Sequence, residues 1–376
     1  MPEPVLWPLE DHTLAKHRVL RSYLDGWIPI MGHQALRAYG STRRLLLVDG
    51  FAGPGRYTGG EPGSPLIMLD ALKSHSALPR LGEVKFLYLF VEHNPDRVTH
   101  LRSEVKQLDL PSNVQVFIEE GEFETTFGHV VDDITSSGKL LVPTFAFIDP
   151  FGYSAASMSL TGRFLSFPRS EALFFLPLSY IHRFVGRSGQ DAALTALFET
   201  EEWRDAIPLD GDARRSFLID LFERQLGNQG QVKHVRSFEL RTRDSNDYRL
   251  VFATGHDKGL QVMKEAMWSV DPLEGTRYVA RTQTGQEVLF EPTVDTAPLL
   301  SELEHAFGER WFTVQQASEV ALVRTPFLPD KHLKRLTLVP AETAGRIEVK
   351  RPAGRRAGTF TDDVRMRFTG HTRPDS

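Results

Sequence analysis

The sequence predicts an α/β protein: a mostly parallel sheet of seven strands, the last pair antiparallel, with a smaller helix-and-hairpin module at its C-terminal end. Three observations carry this. Short runs of apolar β-formers alternate with amphipathic helical stretches through the first two-thirds of the chain, the alternation of βαβ units. One such run, Leu45 to Val48, ends on Asp49 and opens into a loop with glycines at 50, 53, 55, 59, 60 and 63. Near residue 295 the pattern changes, and helices are followed by two basic candidate strands. The expected divisions are an N-terminal helical segment (1–42), a sheet domain (43–292) and the appended module (293–376).

A chain of 376 residues accommodates two domains, or one large α/β domain with an appendage. With no cysteine, neither a disulfide nor a thiolate metal site is possible, and no other metal-ligand set stands out. The hydrophobic content of 41% is that of an ordinary globular chain, and the lack of a signal-like or long apolar run points to a cytoplasmic protein. Net charge is −5 but unevenly spread. After residue 330, eleven Lys/Arg stand against five Asp/Glu, about +6, which leaves about −11 for the rest. The asymmetry suits a polyanion partner for the C-terminal part, or a solvated basic surface.

In chain order, residues 1–12 are rich in proline and read as extended. Thr13 can cap a helix whose Leu14, Val19, Leu20, Tyr23, Leu24, Trp27 and Ile28 share one stripe. Lys16 and His17, near its start, could reach the mouth of a ligand site, but read first as surface or core-edge residues. Beyond the glycine loop, Ser64 and Pro65 have the character of the N-cap and first position of a helix, PLIMLDAL. Strand, glycine loop and helix N-terminus together suit a nucleotide-type ligand, because glycines let backbone approach it and the acid takes its hydroxyl or amine groups. Asp49, Phe51, Ala52, Gly53 and Gly55 are the candidate contacts. The acid precedes the glycines, whereas NAD-binding units place it about 20 residues after them.

A second strand (84–92) ends on Glu92, an acid able to accept two ribose hydroxyls, and a helix follows Asn94-Pro95. A third (114–118) leads to Glu122 and Phe123, which lie where the class I methyltransferase pattern that the glycine loop resembles recognises adenine, a resemblance that implies an acceptor for the ring amine and an apolar neighbour for the ring. The fourth (144–148) runs into Asp149, Pro150, Phe151, Gly152 and Tyr153, the candidate catalytic set. A strand followed by D-P-aromatic resembles the D/N-P-P-aromatic motif of enzymes that methylate exocyclic amines, which implies that the acid and a backbone carbonyl accept both amine hydrogens while an aromatic stacks on the ring, so that positioning supplies much of the rate. A helix near 155–166, a fifth strand (171–176) and a helical region broken by Pro208 follow. A hairpin (235–242, 248–254) turns through DSND, and a helix runs on from Asp257. From 295, LLSELEHAFG, VQQASEVAL and PDKHLKRLTLV precede RIEVKRP and GTFTDDVRMRF. This order reads as a winged helix, with Lys331, Lys334 and Arg335 on the third helix and Arg351, Arg355 and Arg356 in the wing as nucleic-acid contacts. Such a module also serves as a protein-docking unit.

D-G-F-A-G-P-G resembles the first motif of class I S-adenosylmethionine (SAM) methyltransferases, and D-P-F-G-Y the fourth motif, D/N-P-P-aromatic, of those that methylate exocyclic amines. Over nearly its whole length the chain resembles the three-Cys-motif partner (TcmP) family, on KHRVLRSYLDGWIPI, VDGFAGPGRYTGGEPGSPL, FIDPFGY, FATGHDKGLQVMKEAMW and GTFTDDVRMRF. The resemblance implies a Rossmann-like class I methyltransferase fold, SAM as cofactor, and a separate three-Cys-motif protein of the phage Gp37/Gp68 type that supplies cysteines this chain lacks. The fourth motif departs from the pattern: Phe151 and Gly152 fill its third and fourth places and the aromatic moves to Tyr153. D-P-F-G is also similar to the motif of tRNA guanine-N2 methyltransferases. The expected function is a SAM-dependent methyltransferase acting on an exocyclic amine of nucleic acid together with that partner. The alternative is a non-catalytic SAM-binding or scaffold subunit that docks the partner or nucleic acid; the glycine order disfavours a nicotinamide oxidoreductase.

Overall fold

A computed structural model describes residues 4–37, 43–150, 152, 155–242, 247–279, 293–352, 354–362 and 364–370. By contacts the chain falls into two units, Met1–Ala266 with Arg277–Gln283, and Met267–Thr276 with Thr284–Ser376. The N-terminal helical segment falls in the same unit as the sheet.

The first unit begins with α1 (Asp11–Arg37), β1 (Arg44–Asp49), α2 (Ser64–Lys73), β2 (Lys85–Glu92), α3 (Pro95–Lys106), β3 (Val114–Glu120), α4 (Phe123–Ser136) and β4 (Thr144–Ile148). It continues with α5 (Met158–Leu165), β5 (Ser170–Leu176), α6 (Leu178–Phe184), α7 (Asp191–Phe198), α8 (Gly211–Gly230), β6 (His234–Arg241), β7 (Asp247–Thr254), α9 (Asp257–Val270, whose last turn lies in the second unit) and β8 (Arg277–Val279). The strands form one sheet in the order β3-β2-β1-β4-β5-β7-β6-β8. β1 to β5 are parallel, and β7 runs antiparallel between β5 and β6. This mixed α/β sheet is consistent with a Rossmann-like methyltransferase fold. The eighth strand corrects the expected seven: β8 pairs with β6 over only three residues, too short for a periodic signal. Most of the DSND turn expected in the hairpin lies outside the described residues.

β1, β4 and β5 are buried on both faces, which is why they read as continuous apolar runs. One face packs Val48, Ile148 and Phe174 against Phe127, Phe164 and Phe222 of α4, α5 and α8. On the other lies α1, whose Tyr23 ring stands 5.1 Å from Phe145 and 5.0 Å from Phe252. Glu171, 4% exposed in β5, fixes α1 there by accepting from Tyr23 Oη (2.7 Å) and Trp27 Nε1 (2.6 Å), and it also accepts from Thr254 Oγ1 (2.5 Å). Gly259 is required beside this carboxylate, because a Cβ there would meet Glu171 Oε1 at 2.2 Å. No helix among the described residues is long and apolar enough to cross a membrane.

The second unit contains α10 (Ala297–Phe307), β9 (Phe312–Thr313), α11 (Val314–Arg324), a π-helical segment (Pro329–Leu338), α12 (Val339–Thr343), β10 (Ile347–Lys350) and β11 (Arg365–Phe368). The strands form an antiparallel sheet in the order β10-β11-β9. Its core gathers Leu299, Leu303, Phe312, Leu333, Ile347 and Met366. Thr313 and Gln316 close a reciprocal capping box that starts α11.

Candidate active site at the switch point of the sheet

From β1 the chain winds outward to β2 and β3, then returns to place β4 on the other side of β1. In open α/β sheets the crevice at such a reversal, outside the C-terminal ends of the strands, is where ligands bind. Asp49 ends β1 and Asp149 follows β4 by one residue, so neighbouring strands bring the two acids to that crevice. The glycine loop is tied to the sheet by Gly50 N–H to Phe147 O (3.0 Å) and Ala52 N–H to Val91 O (2.9 Å).

A cavity of about 490 Å³ opens above the loop. Its floor is Phe51 to Tyr57 with Gly63 and Ser64; Asp149, Pro150 and Gly152 stand on one side, and Phe175, Pro177, Tyr180, Phe184 and Tyr248 on another. Trp7, Pro8 and the first turns of α1 close it over. Gly53 and Gly55 have positive φ (62° and 87°), conformations that L side chains rarely adopt. Gly55 is also crowded, since a Cβ there would lie 2.8 Å from Leu101, whereas one on Gly53 would make ordinary contact with Trp7 at 3.4 Å. Ser64 is the first residue of α2, with Gly63 as N-cap; the serine hydroxyl is directed to Asp49 and does not cap the helix.

Asp49 is fully buried beneath the cavity wall. Its Oδ1 accepts Phe51 N–H at 3.1 Å, while Oδ2 has no hydrogen-bond partner. Burial pushes its carboxyl up to about 7, helped by the charge of Asp149 and opposed by hydrogen bonding from Ser64 and Phe51 and by Lys16. Asp149 is in an ion pair: Lys16 Nζ meets its Oδ2 at 2.5 Å, with the lysine side chain 6% exposed. The same ammonium lies 4.3 Å from the centroid of Phe175. His12 stacks on Tyr248 (4.5 Å, 4°), and burial first, then Lys16, lowers its pKa to about 4, which keeps it neutral. Tyr57 is held well above the usual tyrosine range by burial and by both aspartates.

Of the residues expected at the site, Phe51, Ala52, Gly53, Gly55, Asp149, Pro150 and Gly152 line this cavity, whereas Phe151 and Tyr153 lie outside the described residues. Glu92, Glu122 and Phe123 are not on its wall. Glu92 is 2% exposed and serves the backbone: Oε2 accepts Gly53 N–H (2.9 Å) and Oε1 accepts Asn94 N–H (2.8 Å). Phe123 is a core residue packed on Phe51 and Phe127, and Glu122 is exposed at the N-cap of α4. Lys16, His12, Trp7 and Arg97 were missed as lining residues. For Lys16 a signal existed, since it falls on the stripe that continues through Val19, Leu20, Tyr23 and Trp27, and a lysine on a buried stripe needs a partner.

In the second unit, Lys331, Lys334, Arg335, Arg355 and Arg356 are exposed, the first three on the π-helical segment and the others between β10 and β11. Arg351 differs. Its guanidinium holds Glu342 bidentately (2.6 and 2.5 Å) and donates to Thr359 O (3.1 Å), so it closes the loop instead of presenting charge to solvent.

No family model matches the sequence, and no curated protein does. Solved structures that align with it include an O-methyltransferase from Bacillus cereus in complex with SAH (11% identity, 62% of this chain and 80% of that one, TM-score 0.31). A human methyltransferase 10 domain containing protein aligns at 13% identity over 63% and 83%, with TM-score 0.31. A geranyl diphosphate methyltransferase in complex with GPP and sinefungin aligns at 12% identity over 61% and 78%, with TM-score 0.28.

Proposed function

We propose that this chain is a SAM-dependent methyltransferase acting on an exocyclic amine of nucleic acid, together with a three-Cys-motif protein of the Gp37/Gp68 type. The observation that carries the reading is the glycine-floored cavity at the switch point, with Asp149 on its wall and the uncommitted Oδ2 of Asp49 buried behind it. SAM, when bound, supplies an electrophilic methyl group on a positively charged sulfonium. Glycines 53, 55 and 63 give the close backbone approach such a ligand needs. Lys16 Nζ pairs with Asp149 Oδ2, and the carboxylate serves as a hydrogen-bond acceptor. Lys16 uses Oδ2, so Oδ1 can take a hydrogen from a target amine and align its lone pair. Phe175, Tyr180, Phe184 and Tyr248 offer flat apolar surface to the ring that carries the amine.

The order helix, strand, helix, π-helical segment and hairpin supports reading the second unit as a winged-helix-like nucleic-acid module. Calorimetry with SAM and S-adenosylhomocysteine, followed by labelled-methyl transfer to RNA, DNA and the purified partner, tests the whole. No heat of binding at millimolar ligand would refute it.

The same ion pair favours a second reading, a scaffold that keeps the cleft without turnover, because the expected target-facing carboxylate is already engaged by Lys16. Replacing Asp149 separates the two. Asp149→Ala alone would strand a buried ammonium at a cost of about 3 kcal/mol in stability, so Asp149→Ala paired with Lys16→Met is the cleaner change. An enzyme should lose on the order of 10²-fold in single-turnover methyl transfer while SAM affinity stays near wild type. Equal turnover would make the pair structural.

A further inference from the structure

Three residues expected to take the nucleoside half of the cofactor, Glu92, Glu122 and Phe123, are absent from the cavity wall, and the wall there is built from elsewhere. Residues Pro4 to Glu10 cross the glycine loop. Thr58 N–H donates to Trp7 O at 3.1 Å, and Arg97 Nη2 donates to Pro4 O at 3.3 Å. The Arg97 guanidinium sits 4.8 Å from the centroid of the Trp7 indole, while Tyr57 meets that indole edge-on at 6.0 Å. Arg97, 5% exposed, also lies 3.9 Å from Glu92, so carboxylate, guanidinium and indole form consecutive layers from the end of β2 to the cavity. Trp7, Arg97 and Tyr57 line the cavity, whereas Glu92 lies behind them.

Resting on the SAM reading above, we infer that Trp7 and Arg97 form the nucleoside-recognition wall of the cofactor site, with the purine ring packed on the Trp7 indole. Glu92 is then a positioning residue: it orients Gly53 N–H and holds Arg97, and it does not itself accept the ribose hydroxyls. The chemistry suits the assignment. An indole offers a large flat face to a purine, and a guanidinium beside it donates to ring nitrogens and ribose oxygens. The apolar neighbour expected after β3 offers no such face, because Phe123 is sealed in the core.

The test is calorimetry of the full chain with three probes: S-adenosylhomocysteine, adenosine, and S-methylmethionine, a sulfonium amino acid without a nucleoside. Trp7→Ala should weaken S-adenosylhomocysteine and adenosine about 5- to 100-fold, the range for loss of one base–aromatic stack, and leave S-methylmethionine unchanged. Trp7→Phe should restore most of the loss. Trp7→Ala that binds S-adenosylhomocysteine within about twofold of wild type, with Glu122→Gln weakened instead, would overturn the inference and leave the cofactor reading standing. Equal weakening of all three probes would make Trp7 a general support of the fold and overturn it too. A wild-type protein that binds none of the three removes both readings.

Discussion

Asp49 has the most constrained environment of any acid at the cavity. Its folded pKa of about 7 lies above the ordinary 3.8, chiefly through burial. Between those values the folded protein keeps a proton that the unfolded chain has released. The group's contribution to stability is therefore complete below about pH 4 and is lost as pH rises to about 7. Asp49→Asn removes that titration, so its melting temperature should fall less between pH 4 and pH 7.5 than that of wild type; equal falls would place the pKa elsewhere. The acid itself was legible, because an apolar strand ending on a carboxylate before glycines has few structural uses. Its neighbour Lys16 was legible only as a lysine on a buried stripe that needs a partner; periodicity does not say that the partner lies 133 positions away.

At the scale of elements, the glycine loop and the positions of the main strands follow from local chemistry, and the sequence is informative about them. The N-cap of α3 behaves as expected, with Asn94 accepting from Asp96 and Arg97 N–H. The exceptions have physical causes. Ser64 sits in a capping-type sequence but is drawn to the buried Asp49, and the third helix of the second unit is π-helical over Pro329–Leu338, a winding that no apolar spacing reports. Glu171 is the other case. A charged residue at the start of EALFFL looked like a strand border, whereas it is the anchor for α1, β7 and α9. Gly259→Ala drives a methyl into that carboxylate and should destabilise the fold by about 1–3 kcal/mol in denaturant unfolding. A change under about 0.5 kcal/mol would mean that the network yields easily.

Across the whole molecule, the charge asymmetry of the sequence resolves into two kinds of arginine. Arg355 and Arg356 are exposed, whereas Arg351 is locked to Glu342. If the second unit holds nucleic acid, alanine at Arg355 and Arg356 should weaken binding and flatten its salt dependence by roughly 0.7–0.9 in slope per lost phosphate contact. Arg351→Ala should instead lower stability, because it leaves Glu342 without its bidentate partner. An unchanged slope in the double variant would point to protein docking. The placement of α1 has an outcome of another kind. This one helix is pinned at opposite ends of the neighbouring strands β4 and β5, by Lys16 to Asp149 near its start and by Tyr23 and Trp27 to Glu171 further along. It is also linked to β1 only through residues that precede position 44. The first 42 residues thus carry both anchors of α1. A chain cut after them and a peptide carrying α1 are natural halves for fragment complementation, in which reassembly can be switched by adding the peptide.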